Sequence, residues 1–268
     1  MIKNKLFNNN RMISDLELAT NAAIKAGDII LNYFKSDYEI KEKSYHNPVT
    51  TADKAADDFL KSTLMKNRPK YGWLSEETVD SFERLNKRKV WIVDPLDGTK
   101  EFIEGVANFV VSIGLVQDGY PIIGVLYNPV SKELFSAAKN EGAYLNGMSI
   151  KCSSKKKISD MSLLVSRSEL RRGLWSPYLE KFHKLIPIGS VAYKLGLTAA
   201  TKADIFASLR PKNEWDICAG NCIINEAGGK LIDLNGKRVI FNRETTRIQP
   251  GLIAGEKSAV DKTLTILK

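Results

Sequence analysis

Acidic residues occur at four separate places where a predicted helix or strand begins or ends. These places are Asp53, the pair Glu76 and Glu77, the pair Asp94 and Asp97, and Asp216. A single aspartate at a helix start usually caps the first turn. Carboxylates gathered from all four places would repel one another unless cations neutralised them. The pattern therefore suggests a site for Mg²⁺, which prefers carboxylate and carbonyl oxygens as ligands.

One segment places two of these carboxylates around a turn. The apolar run Val90–Val93 predicts a buried strand that delivers Asp94 to the edge of a sheet. Pro95 is expected to end that strand because it cannot donate to the ladder. Asp97 then opens a predicted short helix, so that both carboxylates can face one cation.

The same turn offers further polar groups. The carbonyl of Leu96 can supply a third oxygen ligand. The N–H groups of Gly98 and Thr99 are predicted to point out of the N-terminus of the short helix. Such N–H groups, together with the helix dipole, favour a phosphate.

These residues resemble the inositol monophosphatase superfamily. The motifs that are similar to family signatures, in the family's order, are Val49–Asp53, Ser75–Glu77, Asp94–Thr99, and Trp215–Gly220 continuing to Glu226–Gly229. The resemblance extends from about Ser14 to Ala254. It implies an α/β (α+β) fold, specifically the layered α-β-α-β-α sandwich of the inositol monophosphatase and sugar phosphatase type.

The resemblance implies a magnesium-dependent phosphomonoesterase with about two to three Mg²⁺ ions per site. A first ion would be held by Glu76, Asp94 and the Leu96 carbonyl. A second would be held by Asp94, Asp97 and Asp216. A third, weaker ion would lie near Glu76, and a contact from Glu77 is left open.

The chemistry implied by the resemblance needs no covalent nucleophile. Divalent cations would neutralise the phosphate dianion and activate water. Thr99 and Asp53 would orient and deprotonate that water, with Glu76 as a further catalytic residue. Asp97, Gly98 and Thr99 would also contact the substrate. Inhibition by Li⁺ is expected from the resemblance alone.

Three features bear on the substrate, and they favour a bisphosphate nucleotide. Lys100 and Glu101, after the first signature, look like the bacterial 3′(2′),5′-bisphosphate nucleotidases. Inositol monophosphatases place a glutamate that binds ring hydroxyls seven residues before the aspartate of the second signature, where this chain has Leu209. Arg210 and Lys212 follow, and cations suit a second phosphate.

A further segment, Gly189–Lys194, resembles the Gly-Ser-Ser-x-Lys stretch of the nucleotidases with about one residue of slippage. Ser190 and Lys194 are therefore substrate-site candidates. The expected reaction is hydrolysis of the 3′-phosphate of adenosine 3′,5′-bisphosphate, in sulfur metabolism, with 3′-phosphoadenylyl sulfate as a second candidate substrate. The alternative is an inositol or other sugar-phosphate phosphatase. A non-catalytic relative is disfavoured because all six key residues are present.

The elements that must position these residues are read from hydrophobic spacing. The predicted helices and strands are a helix from Ser14 with a capping box to Glu17, a helix Thr51–Lys66, strands Tyr38–Lys43, Phe109–Val116, Ile122–Tyr127, Glu133–Ala138, Ser162–Ser166 and Asp204–Ser208, and helices Pro177–Lys184, Val191–Ala200 and Asp216–Ala227. A soft boundary near Cys152 predicts two halves packed as one unit. Residues 1–152 would carry most metal ligands, and residues 153–268 would carry Asp216 and the specificity segments.

Composition limits the function classes. The net charge of +9 is compatible with an anionic small molecule, but no nucleic-acid-binding motif accompanies it. The predicted partner is therefore a small phosphorylated metabolite, not a nucleic-acid polymer or a membrane. The polar N-terminus, Met1–Arg11, predicts a cytoplasmic protein, as a monomer or homodimer. Cys218 and Cys222 are predicted to be buried apolar side chains, not zinc ligands.

Overall fold

The computed structural model describes residues 13–44 and 47–268. Its helices are α1 (Asp15–Tyr33), α2 (Thr51–Asn67), α3 (Thr99–Ile103), α4 (Arg167–Arg171), α5 (Val191–Ala199), α6 (Glu214–Glu226) and α7 (Lys257–Leu267). Its strands are β1 (Ile40–Ser44), β2 (Asn47–Thr50), β3 (Gly72–Ser75), β4 (Lys89–Asp97), β5 (Val110–Gln117), β6 (Tyr120–Asn128), β7 (Glu133–Ala138), β8 (Gly142–Leu145), β9 (Met148–Ile150), β10 (Ser162–Ser166), β11 (Lys184–Ile188), β12 (Ile205–Ser208), β13 (Lys212–Asn213), β14 (Gly229–Asp233), β15 (Arg247–Ile248) and β16 (Leu252–Glu256).

Two sheets carry most of these strands. A seven-stranded sheet has the order β3-β4-β5-β6-β7-β8-β9, in which only the β3–β4 pair is parallel. A five-stranded mixed sheet has the order β11-β10-β12-β16-β14. The short pairs β1–β2 and β13–β15 form separate ladders beside the two sheets.

The helices cover these sheets in layers. Helices α1 and α2 pack on one face of the seven-stranded sheet, α5 and α6 lie between the two sheets, and α7 covers the outer face of the five-stranded sheet. Strand β4 is buried on both faces, since Trp91 and Val93 pack toward α1 and α2 while Val90 and Ile92 pack toward α5 and α6. The layering is the predicted α-β-α-β-α sandwich.

Close backbone approach sets the position of α6. A Cβ at Gly124 would lie 2.2 Å from the carbonyl oxygen of Ala219, and one at Gly114 would lie 2.5 Å from the Cys218 sulfur. The two glycines therefore let α6 sit directly on β5 and β6. Cys218 and Cys222 are buried in this contact, as predicted.

Capping side chains fix the starts of three helices. Ser14 accepts a hydrogen bond from the Glu17 N–H at 3.1 Å, which confirms the predicted start of α1. Asp53 and Asp216 occupy the third position of α2 and α6, and each accepts from the backbone N–H of its N-cap residue, Thr50 or Asn213. Such boxes satisfy N–H groups that a helix leaves free. In Asp53 and in Asp216 the N-cap N–H binds Oδ2, so Oδ1 remains available for another contact.

Two predictions about the elements are wrong. Strand β4 does not end before Pro95 but continues to Asp97, because a shift in register between Asp94 and Asp97 lets the strand absorb the proline. The segment predicted as a helix over Pro177–Lys184 is a 3₁₀ helix, Ser176–Lys181, followed by β11. The true α-helix there, α4, lies earlier in the chain.

One prediction, the interpretation of Met1–Arg11, concerns residues outside the described ones. Within residues 13–44 and 47–268, no helix is long and apolar enough to cross a membrane.

Candidate active site

Three carboxylates from three different elements meet in one place. Glu76 follows β3, Asp94 lies in β4, and Asp216 lies in the first turn of α6. One oxygen from each lies within 4.8 Å of the others. A set of oxygen donors at this spacing fits a hard divalent cation such as Mg²⁺.

Asp97 lies beside this group and is held by the start of α5. Its Oδ2 accepts from the Ser190 hydroxyl at 2.6 Å and from the Ala192 N–H. The Ser190 oxygen in turn accepts from the Tyr193 N–H at 3.0 Å. Ser190, a predicted substrate residue, therefore orients Asp97 in this structure, and the other oxygen of Asp97 takes no part in these bonds.

Burial and mutual repulsion act on these carboxyl groups together. Burial raises the pKa of Asp216 to about 8, and the charges of Asp97 and Glu76 contribute. The pKa of Asp94 lies well above its usual value for the same reasons, burial first and then Glu76 and Asp97. A divalent cation would relieve this repulsion, so the residues fit the implied metal.

A threonine and an aspartate form a hydrogen-bonded pair next to the cluster. The Thr99 hydroxyl donates to Asp53 Oδ1 at 2.9 Å, with a longer contact of 3.3 Å to the Leu96 carbonyl. Asp53 Oδ2 accepts from the N–H and the hydroxyl of Thr50, at 2.7 and 2.6 Å. Burial raises the pKa of Asp53, although these hydrogen bonds act to lower it.

Sequence reasoning missed a lysine in this site. Lys43 Nζ lies 2.7 Å from Glu76 Oε1 and 2.7 Å from Glu77 Oε1. Burial raises the pKa of Glu77 to about 7, although Lys43 acts to lower it. The lysine occurs in a polar, charged strand that looks like an ordinary solvent-exposed face, so no pattern in the sequence could have identified it.

A cleft with two lobes opens over the acidic cluster. The inner lobe, about 260 Å³, is bordered by residues that include Asp94, Thr99, Arg167, Ser190 and Lys194. The outer lobe, about 540 Å³, is bordered by residues that include Asp216, Lys100, Arg210, Lys212 and Arg247. Both lobes share Glu76, Asp97, Lys100, Val191 and Lys212. Of the predicted substrate residues, Arg210 borders only the outer lobe, Asp97 and Lys212 border both lobes, and the others border only the inner lobe.

Lys194 is a buried cation under the inner lobe. Its Nζ donates to the carbonyl oxygens of Ile188 at 2.8 Å and Gly189 at 3.2 Å, and only 2% of the residue is exposed. Burial lowers its pKa to about 8, while the charge of Asp97 acts to raise it. Two of the three ammonium donors are therefore already engaged.

The loop that carries Arg210 and Lys212 rests on a buried glutamate that sequence reasoning also missed. Glu169, in α4, accepts from the Ser208 hydroxyl at 2.6 Å and from the Leu209 N–H at 3.2 Å. Lys212 Nζ lies 3.8 Å from the same carboxylate. Leu209 itself is partly buried and packs against the apolar cluster that includes Ile253 and Val260. This position therefore presents no carboxylate to the cleft.

Comparison with known proteins decides the family. A model described as "Inositol monophosphatase family" matches residues 13–266. The chain belongs to the inositol monophosphatase family. It is a phosphatase of that family. It is 36% identical over 233 residues to inositol monophosphatase 3 of Solanum lycopersicum, covering 82% of this chain and 86% of the relative.

Solved structures of the inositol monophosphatase family share the fold. The extragenic suppressor protein SuhB of Bartonella henselae superposes with a TM-score of 0.84 at 29% identity, over 94% of this chain and 97% of that one. CysQ from Bacteroides thetaiotaomicron superposes with a TM-score of 0.76 at 31% identity, over 93% and 99% of the two chains. The predicted family is confirmed, whereas the nucleotidase branch stays a prediction because relatives of several names match.

Proposed function

We propose that this phosphatase removes the 3′-phosphate of adenosine 3′,5′-bisphosphate, and that 3′-phosphoadenylyl sulfate is a second substrate. The observation that carries the proposal is the cationic outer lobe. Arg210 and Lys212 border it beside the acidic cluster, and Leu209 places no carboxylate there. A polyol ring needs acceptors for its hydroxyl groups, whereas a second phosphate needs cations.

The residues that would hold Mg²⁺ are Glu76, Asp94, Asp97, Asp216 and the Leu96 carbonyl. When bound, Mg²⁺ supplies charge neutralisation for the phosphate dianion and lowers the pKa of water. The number of ions proposed is about two to three per site. Inhibition by Li⁺ belongs to the same proposal, and activity should vanish with EDTA and return with Mg²⁺.

The chain's own proton path starts at Thr99. Its hydroxyl hydrogen is directed at Asp53 Oδ1, which leaves the Thr99 oxygen free to accept a hydrogen bond from water in the inner lobe. The N–H and the hydroxyl of Thr50 donate to Asp53 Oδ2, and these two bonds hold the Asp53 carboxylate in its orientation toward Thr99. Gly98 and Thr99 border the same lobe, where their N–H groups are the proposed donors to the phosphate.

A second candidate function has its own support. The chain is 36% identical to inositol monophosphatase 3 and 34% identical to inositol monophosphatase 1, both of Solanum lycopersicum. An inositol monophosphate would use the same metal ligands and the same Thr99–Asp53 pair. It would differ in the group that occupies the outer lobe.

A substrate panel at matched Mg²⁺ separates the two. The panel contains adenosine 3′,5′-bisphosphate, adenosine 3′-monophosphate, inositol 1-phosphate and fructose 1,6-bisphosphate, with kcat/KM measured from phosphate release. We expect the adenosine bisphosphate to exceed the monophosphate by at least about tenfold, the worth of one charge-assisted hydrogen bond. A higher kcat/KM for inositol 1-phosphate would establish the second candidate instead.

A further inference from the structure

The outer lobe has an excess of positive charge beyond the two residues that the sequence singled out. Its cations are Lys100, Arg210, Lys212 and Arg247, and its carboxylates are Glu76, Asp97 and Asp216. All three carboxylates belong to the proposed metal site, so bound cations would neutralise them. Within residues 13–44 and 47–268, no ion pair occupies Lys100, Arg210 or Arg247.

Strand pairing places Arg247 beside the metal ligands although it lies far from them in sequence. In the β13–β15 ladder, Asn213 is opposite Arg247. Asn213 is the N-cap of α6, and Asp216 lies in the first turn of that helix. The neighbouring Ile248 is buried, with 3% of the residue exposed, and anchors the strand.

A buried glutamate ties the preceding loop to the same helix. The Glu214 N–H donates to the Thr246 carbonyl at 2.9 Å. The Glu214 carboxylate accepts from the Asn242 N–H at 2.7 Å and from the Arg243 N–H at 2.9 Å. Because Glu214 is fully buried, these bonds are protected from water. The backbone that carries Arg247 is therefore fixed relative to Asp216.

The inner lobe offers a poorer site for a second anion. Arg167 is held by Glu101 at 3.0 Å and by Glu104 at 2.7 Å, so two carboxylates already surround it. Lys194 donates to two backbone carbonyls, and Ser190 orients Asp97. Among the described residues, the cations without an ion pair are Lys100 and Arg171 at the inner lobe, and Lys100, Arg210 and Arg247 at the outer lobe.

We propose that Arg247 and Lys100, together with Arg210 and Lys212, form a subsite for the second, non-reacting phosphate of the substrate. Arg247 is the specificity-determining residue of this subsite, since a guanidinium can bind two phosphate oxygens at once. Lys100 directly follows Thr99 at the start of α3, which fixes the subsite relative to the reacting phosphate. The proposal rests on the proposed function and deepens it.

The test compares Arg247→Gln with Arg238→Gln. Arg238 lies outside both lobes, with its guanidinium 4.5 Å from the centre of the Tyr120 ring, so it controls for the loss of a positive charge. We expect Arg247→Gln to raise KM for adenosine 3′,5′-bisphosphate by about tenfold with kcat little changed. KM for adenosine 3′-monophosphate should stay within about twofold, and Arg238→Gln should alter neither substrate.

Two further measurements distinguish binding from folding. Adenosine 5′-monophosphate, the product, should inhibit Arg247→Gln more weakly than the wild type, and Lys100→Gln should show the same direction. Melting temperatures check that the variants fold. If the wild type prefers the bisphosphate and Arg247→Gln keeps that preference, the subsite is wrong while the proposed function stands. If the wild type has no preference for the bisphosphate, both proposals are wrong.

Discussion

The Thr99 hydroxyl is held in one orientation by the groups around it. Its hydrogen is directed at Asp53 Oδ1 at 2.9 Å, and Asp53 is fixed by two bonds from Thr50. A hydroxyl that only stabilised a helix would be worth about 1 kcal/mol. A hydroxyl that relays a proton contributes about 10²–10⁴ in rate, so the two roles can be separated.

Thr99→Ala should keep the fold but lose at least about a hundredfold in kcat. Asp53→Asn should behave alike, and the double variant should be little worse than either single one, because the pair acts as a unit. Turnover at saturating Mg²⁺ and melting temperature are the measurements. Thr99→Ser should recover most of the activity, and Thr198→Ala, which removes a buried hydroxyl from α5, is the control. Losses that multiply in the double variant would remove the pair from the mechanism.

At the scale of elements, Gly98 determines how β4 passes into α3. Its φ of 111° lies in the region that favours glycine, and a Cβ there would lie 2.8 Å from the carbonyl oxygen of Asn108. Any side chain would therefore push the start of α3, with Thr99, away from Asp53. The turn between β8 and β9 has a comparable glycine, Gly147, with φ of 78° and open space around it.

Gly98→Ala should cost more than about 2 kcal/mol in the free energy of unfolding and should lower kcat, since conformational strain and a backbone clash add. Gly147→Ala should cost only about 1 kcal/mol and leave kcat unchanged, because it carries the strain without the clash. Urea unfolding and turnover measured on both variants check this. Equal effects of the two substitutions would contradict the role given to the contact with Asn108.

A buried arginine joins the edge of the first sheet to the loop before β15. The Arg84 side chain is 1% exposed, pairs with Asp80 at 2.6 Å, and donates to Asn242 Oδ1 at 2.8 Å and to the Arg243 carbonyl at 3.0 Å. Arg84→Met should lower the free energy of unfolding by about 1.5–3 kcal/mol, because it removes the charged hydrogen bonds of a buried guanidinium to partners that are themselves partly exposed. Arg88→Met removes an exposed pair with Asp118 and should change it by less than about 0.5 kcal/mol. Similar unfolding curves for the two variants would exclude this network as a major source of stability.

At the scale of the whole molecule, the acidic cluster lies where the seven-stranded sheet meets the helix layer between the two sheets. Asp94 comes from the seven-stranded sheet and Asp216 from the helix layer between the sheets. The packing that holds α6 against β5 and β6 also forces these like charges together. Without cations, the cost of burying these carboxyl groups close together therefore reduces the free energy of unfolding.

This arrangement predicts how stability depends on pH. Burial raises the pKa of Asp216 from 3.8 to about 8, so between these pH values the folded protein without metal binds more protons than the unfolded chain. Its free energy of unfolding should therefore fall as pH rises across this window. Mg²⁺ binds the deprotonated site, so its stabilising effect should grow with pH.

Melting temperatures with EDTA and with saturating Mg²⁺, measured from about pH 5 to about pH 8, check this prediction. The difference between the two conditions should widen as pH rises. Asp216→Asn removes one of the titrating groups, so it should flatten the dependence in EDTA. A Mg²⁺ effect that stays constant over the range would show that the carboxyl groups are already ionised in the folded protein.

The sequence by itself indicated the family and the layered fold, because four ordered motifs resemble those of the family, and the same motifs contain Glu76, Asp94 and Asp216, which the structure brings together. It did not determine the path of β4 through Pro95, since a shift in register depends on the neighbouring strand. It gave no sign of Lys43 or Arg247, which look like ordinary surface cations until β1 and the β13–β15 ladder bring them to the site. Only the tertiary structure decided that Arg247 faces the outer lobe and that Lys194 lies buried under the inner lobe, because burial and pairing depend on contacts between residues far apart in the chain.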